Sequence, residues 1–344
     1  MTYFDRPEDV QVGVIGYGGA FNMGKSHLNQ MKQAGMTPVA VTDLDEGRLE
    51  VAEEDFPGID TFTSSTEMLE SSDVNLVVII TPHNTHADLA LECLNAGRHV
   101  VCEKPLAITT EECDRMIAAA EENEVILSTY HNRHWDGCIL EAVDRICNRG
   151  EIGEVLRIEA HMCSYGQPQD WWRSSKSISG GILYDWGVHL LEYGFQIIDG
   201  NMTEVTGYAS RGHWAEHTRW GEDTNEDEAT AVVRFDNGQL MSLRISSIDS
   251  NPKDGKLEIT GTEGSYIMDG GTWKTVTHEN GTKVIKKGQN RQGEGWKFYQ
   301  NIADHLTDGE PLVITPEWAR RPIHILDLAD QSAEQNRALE TSYK

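Results

Sequence analysis

Hydrophobic and polar positions follow two different grammars along this chain. In the first third, short apolar runs alternate with amphipathic stretches. Residues 10–15 are apolar and end in glycines, residues 25–34 have helical spacing, and residues 39–42 are apolar again. Residues 76–80 (LVVII) form a continuous apolar run, which predicts a strand buried on both faces. Helical spacing over 87–96 stops at Gly97, and the next strand, 99–102, runs into Glu103-Lys104-Pro105. A helix with acidic residues in its first turn is expected over 110–123, and a sixth strand over 125–129. Strands alternating with helices in this order predict an α/β fold, a Rossmann-type doubly wound parallel sheet, over residues 1–130.

Beyond residue 130 the pattern changes. A helix over 139–148 precedes a strand-like VLRIEAHMC, and a helix near 188–197 precedes alternating runs at 205–211, 229–235, 240–246, 257–260 and 265–268. Asp236-Asn237-Gly238 and Glu279-Asn280-Gly281 are hairpin turn signals between such runs. Residues 131–344 are thus expected to form an α+β domain on a mainly antiparallel sheet, with a C-terminal helix over 324–339. No internal repeat or low-complexity linker is seen.

Composition narrows the partners. The chain has 344 residues, enough for two domains, with 29 Lys and Arg against 56 Asp and Glu and a net charge of −27. Such a surface repels nucleic-acid backbones and anionic lipid, so neither is an expected partner. No run approaches the roughly 20 apolar residues of a membrane span, and the opening MTYFDRPEDV lacks the features of a signal peptide. A cytoplasmic location is expected. The six cysteines show no C-x-x-C pairing and read as structural free thiols. His213 and His217 have helical metal-ligand spacing, but Trp214 and Trp220 flank them without an evident carboxylate, so no metal is expected.

Candidate chemistry begins after the first strand, in the loop Gly16, Tyr17, Gly18, Gly19, Ala20, Phe21, Asn22, Met23, Gly24. Glycines let a backbone turn tightly and approach a pyrophosphate, which the following helix N-terminus stabilises. The third glycine, Gly24, comes three residues late for G-x-G-x-x-G. Gly19 and Gly24-Lys25-Ser26 also spell the G-x-x-x-x-G-K-[ST] phosphate loop of ATPases and kinases. That reading needs an acidic metal ligand at a strand end, yet LVVII ends in Thr81-Pro82. Asp43, closing the second strand, decides for a dinucleotide, because an acid there accepts ribose hydroxyls and repels a 2′-phosphate. NAD is therefore favoured over NADP, with Arg48 nearby keeping a minor NADP role open. The alternative reading of Asp43 is a helix cap shared with Asp45.

Three further motifs occur in order: Thr81-Pro82-His83-Asn84-Thr85-His86, His99-Val100-Val101-Cys102-Glu103-Lys104-Pro105-Leu106, and Gly180-Gly181-Ile182-Leu183-Tyr184-Asp185-Trp186-Gly187-Val188-His189. This arrangement resembles the glucose–fructose oxidoreductase / inositol dehydrogenase (Gfo/Idh/MocA) family. The resemblance implies an N-terminal Rossmann domain, a C-terminal domain with a large open sheet, and NAD(P)-dependent oxidation or reduction of sugars, cyclitols or related polyols. The family's Glu-Lys-Pro motif matches Glu103, Lys104 and Pro105, and its Asp-x-x-x-His motif matches Asp185 and His189. The extra residues between Gly18 and Gly24 depart from the family's first loop. Thr81, Pro82, His83, His86, Glu103 and Lys104 join the glycine loop and Asp43 as expected cofactor-binding residues.

Oxidising a secondary alcohol requires a base for its proton and a donor for the developing alkoxide. Lys104 ends a parallel strand, where ligands bind in doubly wound sheets, and its ammonium can serve as that donor. Asp185 and His189, four residues apart, project from one helix face, so the carboxylate can orient the ring or hold a substrate hydroxyl. His189 is read as the base with Lys104 as its helper, the roles being exchangeable. A core histidine beside a capping aspartate is the alternative. His131, Arg133 and Trp135 after the last Rossmann strand, and Trp172 and Arg173 in the aromatic segment 167–173, are the other substrate-facing candidates. A redox-neutral glycosidase acting through a transient keto-sugar would use the same residues, and a non-catalytic nucleotide-binding sensor would not need them. A large sheet would be a liability if left exposed, and together with the family resemblance this leads to an expected homodimer or homotetramer.

Overall fold

The computed structural model describes residues 2–18 and 21–343. The chain forms two compact units: one comprises the chain up to Asn132 together with Trp296–Arg320, the other Arg133–Gly295 with the chain from Arg321 onward.

In the first unit the elements run β1 (Gln11–Ile15), α1 (Met23–Gln33), β2 (Thr37–Thr42), α2 (Glu46–Asp55), β3 (Asp60–Phe62), α3 (Ser65–Ser71), β4 (Leu76–Ile79), α4 (His86–Asn95), β5 (His99–Cys102), α5 (Thr110–Glu122) and β6 (Leu127–Thr129). The strands form one sheet in the order β3-β2-β1-β4-β5-β6, all parallel. Every residue of β4 and β5 is buried, as their continuous apolar runs require. Side-chain caps fix the helix starts. Asp45 accepts from the Gly47 amide at 2.9 Å, and Thr109 with Glu112 closes a capping box on α5. The chain order reverses beside β1, whose Val14 pairs with Val41 on one side and Val78 on the other. Such a reversal is where open α/β sheets bind ligands.

The second unit holds α6 (Gly137–Val143), β7 (Val155–Cys163), α7 (Lys176–Ser179), α8 (Ile182–Phe195), β8 (Met202–Ser210), β9 (Glu228–Phe235), β10 (Leu240–Ser246), β11 (Leu257–Gly261), β12 (Gly264–Met268), β13 (Thr272–Glu279) and β14 (Thr282–Gln289). After α9 (Lys297–Asp308) come α10 (Pro316–Gln335) and β15 (Leu339–Tyr343). The sheet order is β14-β13-β12-β11-β7-β10-β9-β8-β15, with β7 and β10 parallel and the other paired neighbours antiparallel. Asn280 and Gly281, at φ 51° and 80°, make the tight turn between β13 and β14, as their sequence signalled. Helix α8 lies close on this sheet because Gly187 and Gly194 face it, and a methyl at Gly187 would stand 2.8 Å from Leu243.

Two expectations about extents are corrected. The helix expected near 188–197 starts at Ile182, and the one expected over 324–339 is α10, followed by an edge strand. Residues 131–344 do not stay in one unit, since 296–320 returns to the first. The reason is the apolar face of α9, which buries Phe298, Tyr299, Ile302, Ala303 and Leu306. The return is fastened by Ser128 Oγ donating to the Ile314 carbonyl at 2.8 Å and by Arg320, whose guanidinium grips Asp114 at 2.5 and 2.9 Å. No helix among the described residues is long and apolar enough to cross a membrane.

Helix α10 seats on β8 through Gly207, where any Cβ would overlap the Ala329 carbonyl. Gly207→Ala is therefore expected to destabilise the fold by about 1–3 kcal/mol or more, read as a lowered melting temperature. Gly271→Ala, in open space, should leave melting nearly unchanged.

Candidate active site

At the C-terminal end of β1 the chain turns through Gly16 (φ 90°) and Gly18 (φ 66°) before α1 begins at Met23. A methyl at Gly16 would press on Ile80, whereas none of the described atoms lies within 4 Å of one at Gly18. Gly24 does the work of a close-packing glycine despite its late place, because a Cβ there would stand 2.7 Å from the Tyr17 ring. Gly19 and Ala20 lie outside the described residues. Phe21 and Leu44 present 59% and 91% of their surface, an exposed apolar pair flanking the loop.

Asp43 holds this loop in place. Its Oδ2 accepts from the amides of Tyr17 (2.8 Å) and Gly18 (3.0 Å), and its Oδ1 accepts from the Asp45 amide at 3.0 Å. A carboxylate oxygen accepts about two hydrogen bonds, which leaves Oδ1 room for a ribose hydroxyl. Asp45, rather than Asp43, caps α2. Lys25, the lysine of the phosphate-loop decoy, instead pairs with Asp55 at 2.5 Å. Tyr17 donates to the same carboxylate at 2.8 Å. Donor backbone, a spare acceptor and an apolar flank fit a dinucleotide.

The two other loops at this end of the sheet are built on buried histidines. His86 is fully buried, with Nδ1 2.8 Å from the Pro105 carbonyl and Nε2 2.9 Å from the Thr81 carbonyl. It therefore sits between the Thr81-Pro82 turn and the Lys104-Pro105 turn, and burial pushes its pKa down against the pull of both carbonyls. This internal place is not that of a group facing a ligand, as the sequence reading had it. His83 is likewise buried, while Thr81 and Pro82 are half-buried. Glu103 Oε1 lies 3.1 Å from His27 Nε2, and its Oε2 accepts from the Lys104 amide at 2.9 Å. Burial alone would raise Glu103, but the His27 hydrogen bond, the Lys104 charge and the Lys104 amide outweigh it and hold the carboxyl below its ordinary value. Lys104 itself is half-buried at the tip of β5.

In the second unit, the Gly180-Gly181 pair is explained by an ion cluster. Gly181 takes φ 129°, and a Cβ there would stand 2.8 Å from Glu226 and 3.0 Å from the Lys176 amine. Glu226 accepts from Lys176 at 2.8 Å, from Arg211 at 2.7 Å and from the Ile182 amide at 3.0 Å, so it fixes the first turn of α8. Desolvation opposes its charge, but Lys176 and the amide bond prevail and depress its pKa.

From that helix Asp185 reaches Arg173, 3.5 Å between Oδ1 and Nε, and Arg173 lies over the rings of Trp171 and Trp172. His189 is buried, its ring 5.7 Å from that of Trp186. The Arg133 guanidinium lies 4.8 Å from the Trp186 ring and pairs with Asp136 at 3.0 Å. His131 and Trp135 are buried. The structure thus brings Trp172, Arg173 and Asp185 together, and places Arg133 and His189 each beside Trp186.

These two units, a dinucleotide-type parallel sheet and a large mixed sheet carrying an Asp-x-x-x-His helix, define a nicotinamide-dependent oxidoreductase architecture. Residues 10–131 match the model of an oxidoreductase family with an NAD-binding Rossmann fold, Gfo/Idh/MocA, and residues 140–267 match that family's C-terminal domain. The chain belongs to the Gfo/Idh/MocA oxidoreductase family. It is similar to scyllo-inositol 2-dehydrogenase (NADP(+)) of Bacillus subtilis (strain 168), 23% identical over 97% of this chain and 96% of the relative. Myo-inositol 2-dehydrogenase of Thermotoga maritima is 27% identical over 96% of this chain and 98% of its own. The crystal structure of an NAD-binding protein from Listeria innocua superposes with a TM-score of 0.78 at 25% identity, covering 97% of each chain.

Sequence reasoning missed His27, Tyr299, Lys176 and Glu226. His27 was legible as the polar member of an otherwise apolar stripe, Gly24, Leu28 and Met31, on α1. The depressed Glu226 yields a prediction. Its stabilising contribution is complete above the ordinary glutamate value of 4.5 and is lost as pH falls through its lower folded pKa. Glu226→Gln should lower the melting temperature at pH 7 by an amount equivalent to about 1–3 kcal/mol, and the deficit should shrink on acidification. Thermal melts between about pH 3 and pH 7 check this.

Proposed function

We propose that this protein is an NAD-dependent dehydrogenase that moves a hydride between a secondary hydroxyl of a sugar, cyclitol or polyol and nicotinamide. The observation that carries the reading lies within one sheet, where the Asp43 carboxylate at the tip of β2 and Lys104 at the tip of β5 share the C-terminal edge. Gly16, Gly18 and Asp43 would hold the cofactor, which supplies the hydride-accepting ring when bound.

The chain's own residues supply the acid–base work. His189 takes the hydroxyl proton, its burial keeping water from competing for it. The Lys104 ammonium donates a hydrogen bond to the oxygen as negative charge develops there. Asp185, steadied by Arg173, accepts from a neighbouring substrate hydroxyl, and the stacked Trp172 offers an apolar face to the sugar ring. Two full-length relatives bear the names of inositol dehydrogenases, which supports a cyclitol or sugar as substrate.

The test is a panel of sugars, cyclitols and glycosides with purified protein and NAD. NADH is expected to accumulate one-for-one with a keto product, whereas loss of a glycoside without NADH would mark redox-neutral glycosidase chemistry instead. On the substrate so found, Lys104→Ala and His189→Ala should each lower kcat/KM by about a hundred- to ten-thousand-fold. Near-normal turnover in both variants would refute the assignment.

A further inference from the structure

A chain of hydrogen bonds runs from the returned helix α9 to the backbone of Lys104, entirely within the first unit. The Tyr299 hydroxyl lies 2.5 Å from His27 Nδ1, His27 Nε2 lies 3.1 Å from Glu103 Oε1, and Glu103 Oε2 accepts from the Lys104 amide at 2.9 Å. His27 is 0% exposed and Tyr299 1%. We propose that His27 and Tyr299 are positioning residues for Lys104, acting through the Glu103 carboxylate. The inference rests on the reading of Lys104 as the alkoxide-stabilising group.

The direction of each proton follows from the partners. An ionised carboxylate only accepts, so His27 carries its proton on Nε2 and donates to Glu103. Nδ1 is then the acceptor and the Tyr299 phenol the donor. Burial, with Tyr130 and Glu103 nearby, raises Tyr299 well above its ordinary value, so the phenol keeps the proton it donates. Tyr130 walls the relay, its ring 4.3 Å from that of His27 and 5.6 Å from that of Tyr299, and its hydroxyl donates to Gln30 at 2.8 Å. One oxygen of Glu103 is thus held by His27 of α1, itself held by Tyr299 of α9, and the other holds the amide of the next residue. The carboxylate can turn only if the relay lets go, and Lys104 turns with it. The His86 ring lies on the far side of the same turn, Nδ1 2.8 Å from the Pro105 carbonyl.

Loss of the relay should also move a titration. The groups facing Glu103 are His27 from α1, Tyr299 from α9, His86 from α4, and its chain neighbours Cys102 and Lys104. Without the His27 bond one of the interactions that hold the carboxyl down is lost and its pKa rises, so the acidic limb of kcat shifts to higher pH.

The experiment compares His27→Phe, which removes the donor, His27→Gln, which keeps an N–H for Glu103, and Tyr299→Phe, which removes one hydroxyl. Two readouts are taken: hydrogen exchange of the Lys104 amide in the full-length protein, and kcat against pH with the substrate identified in the polyol panel. In His27→Phe and Tyr299→Phe the Lys104 amide should exchange about tenfold faster or more, with exchange of the β1, β4 and β5 cores unchanged. In both variants kcat should fall about tenfold or more while KM for NAD stays within about twofold, and His27→Gln should recover most of both losses. Should His27→Phe fail to fold, Tyr299→Phe against His27→Gln decides. Unchanged Lys104 protection in Tyr299→Phe, or a His27→Gln as exposed as His27→Phe, overturns the proposal. If the wild type oxidises nothing in the panel, the dehydrogenase reading falls, while the exchange measurement still decides the relay.

Discussion

One carboxylate sets the terms for the cofactor end of this molecule. Asp43 takes three backbone amides, those of Tyr17, Gly18 and Asp45, and so pins the glycine loop to the tip of β2. The cost of gathering charge and dipoles at a half-exposed edge is offset because each amide would otherwise lack a partner in this turn. The same pinning places a fixed negative charge where an adenosine ribose would lie. Loop shape and the proposed preference for NAD thus rest on one side chain.

A comparable economy shapes the second unit. The double glycine reads as part of a catalytic signature, yet in the structure Gly181 serves the close approach of Glu226 and Lys176. That ion cluster fixes the start of α8, and α8 in turn presents Asp185, Trp186 and His189. Signature and scaffold are therefore continuous here: Gly181, which makes room for the cluster, lies four positions before Asp185 and eight before His189. Arg211 and Asp330, distant in sequence, complete the cluster and tie α8 to β8 and α10.

How legible this was in the sequence depended on whether a feature was local. β4 and β5 could be read because strands buried on both faces are continuous apolar runs. The turn at Asn280 and Gly281 was readable, but β14 was not, since TKVIKKGQ is an exposed edge strand whose lysines mask its alternation. Asp43 was found from its place after β2, whereas its hold on the loop amides depends on side-chain geometry that spacing does not encode. His86 was read as facing the cofactor because motif order cannot distinguish a group beside a ligand from one beneath it. Tyr299 escaped because the return of 296–320 is a tertiary event: the apolar face of α9 is visible at helical spacing, but which sheet it covers is not. Candidate residues for the chemistry could be named from the sequence, whereas the groups that support them largely could not.

The measurement that bears most directly on the account is a titration of the unmodified protein with NADH and, separately, with NADPH, following cofactor fluorescence. The Asp43 charge predicts that NADH binds about tenfold tighter or more, a difference of about 1.4 kcal/mol at least. Equal affinity, or tighter binding of NADPH, would contradict it.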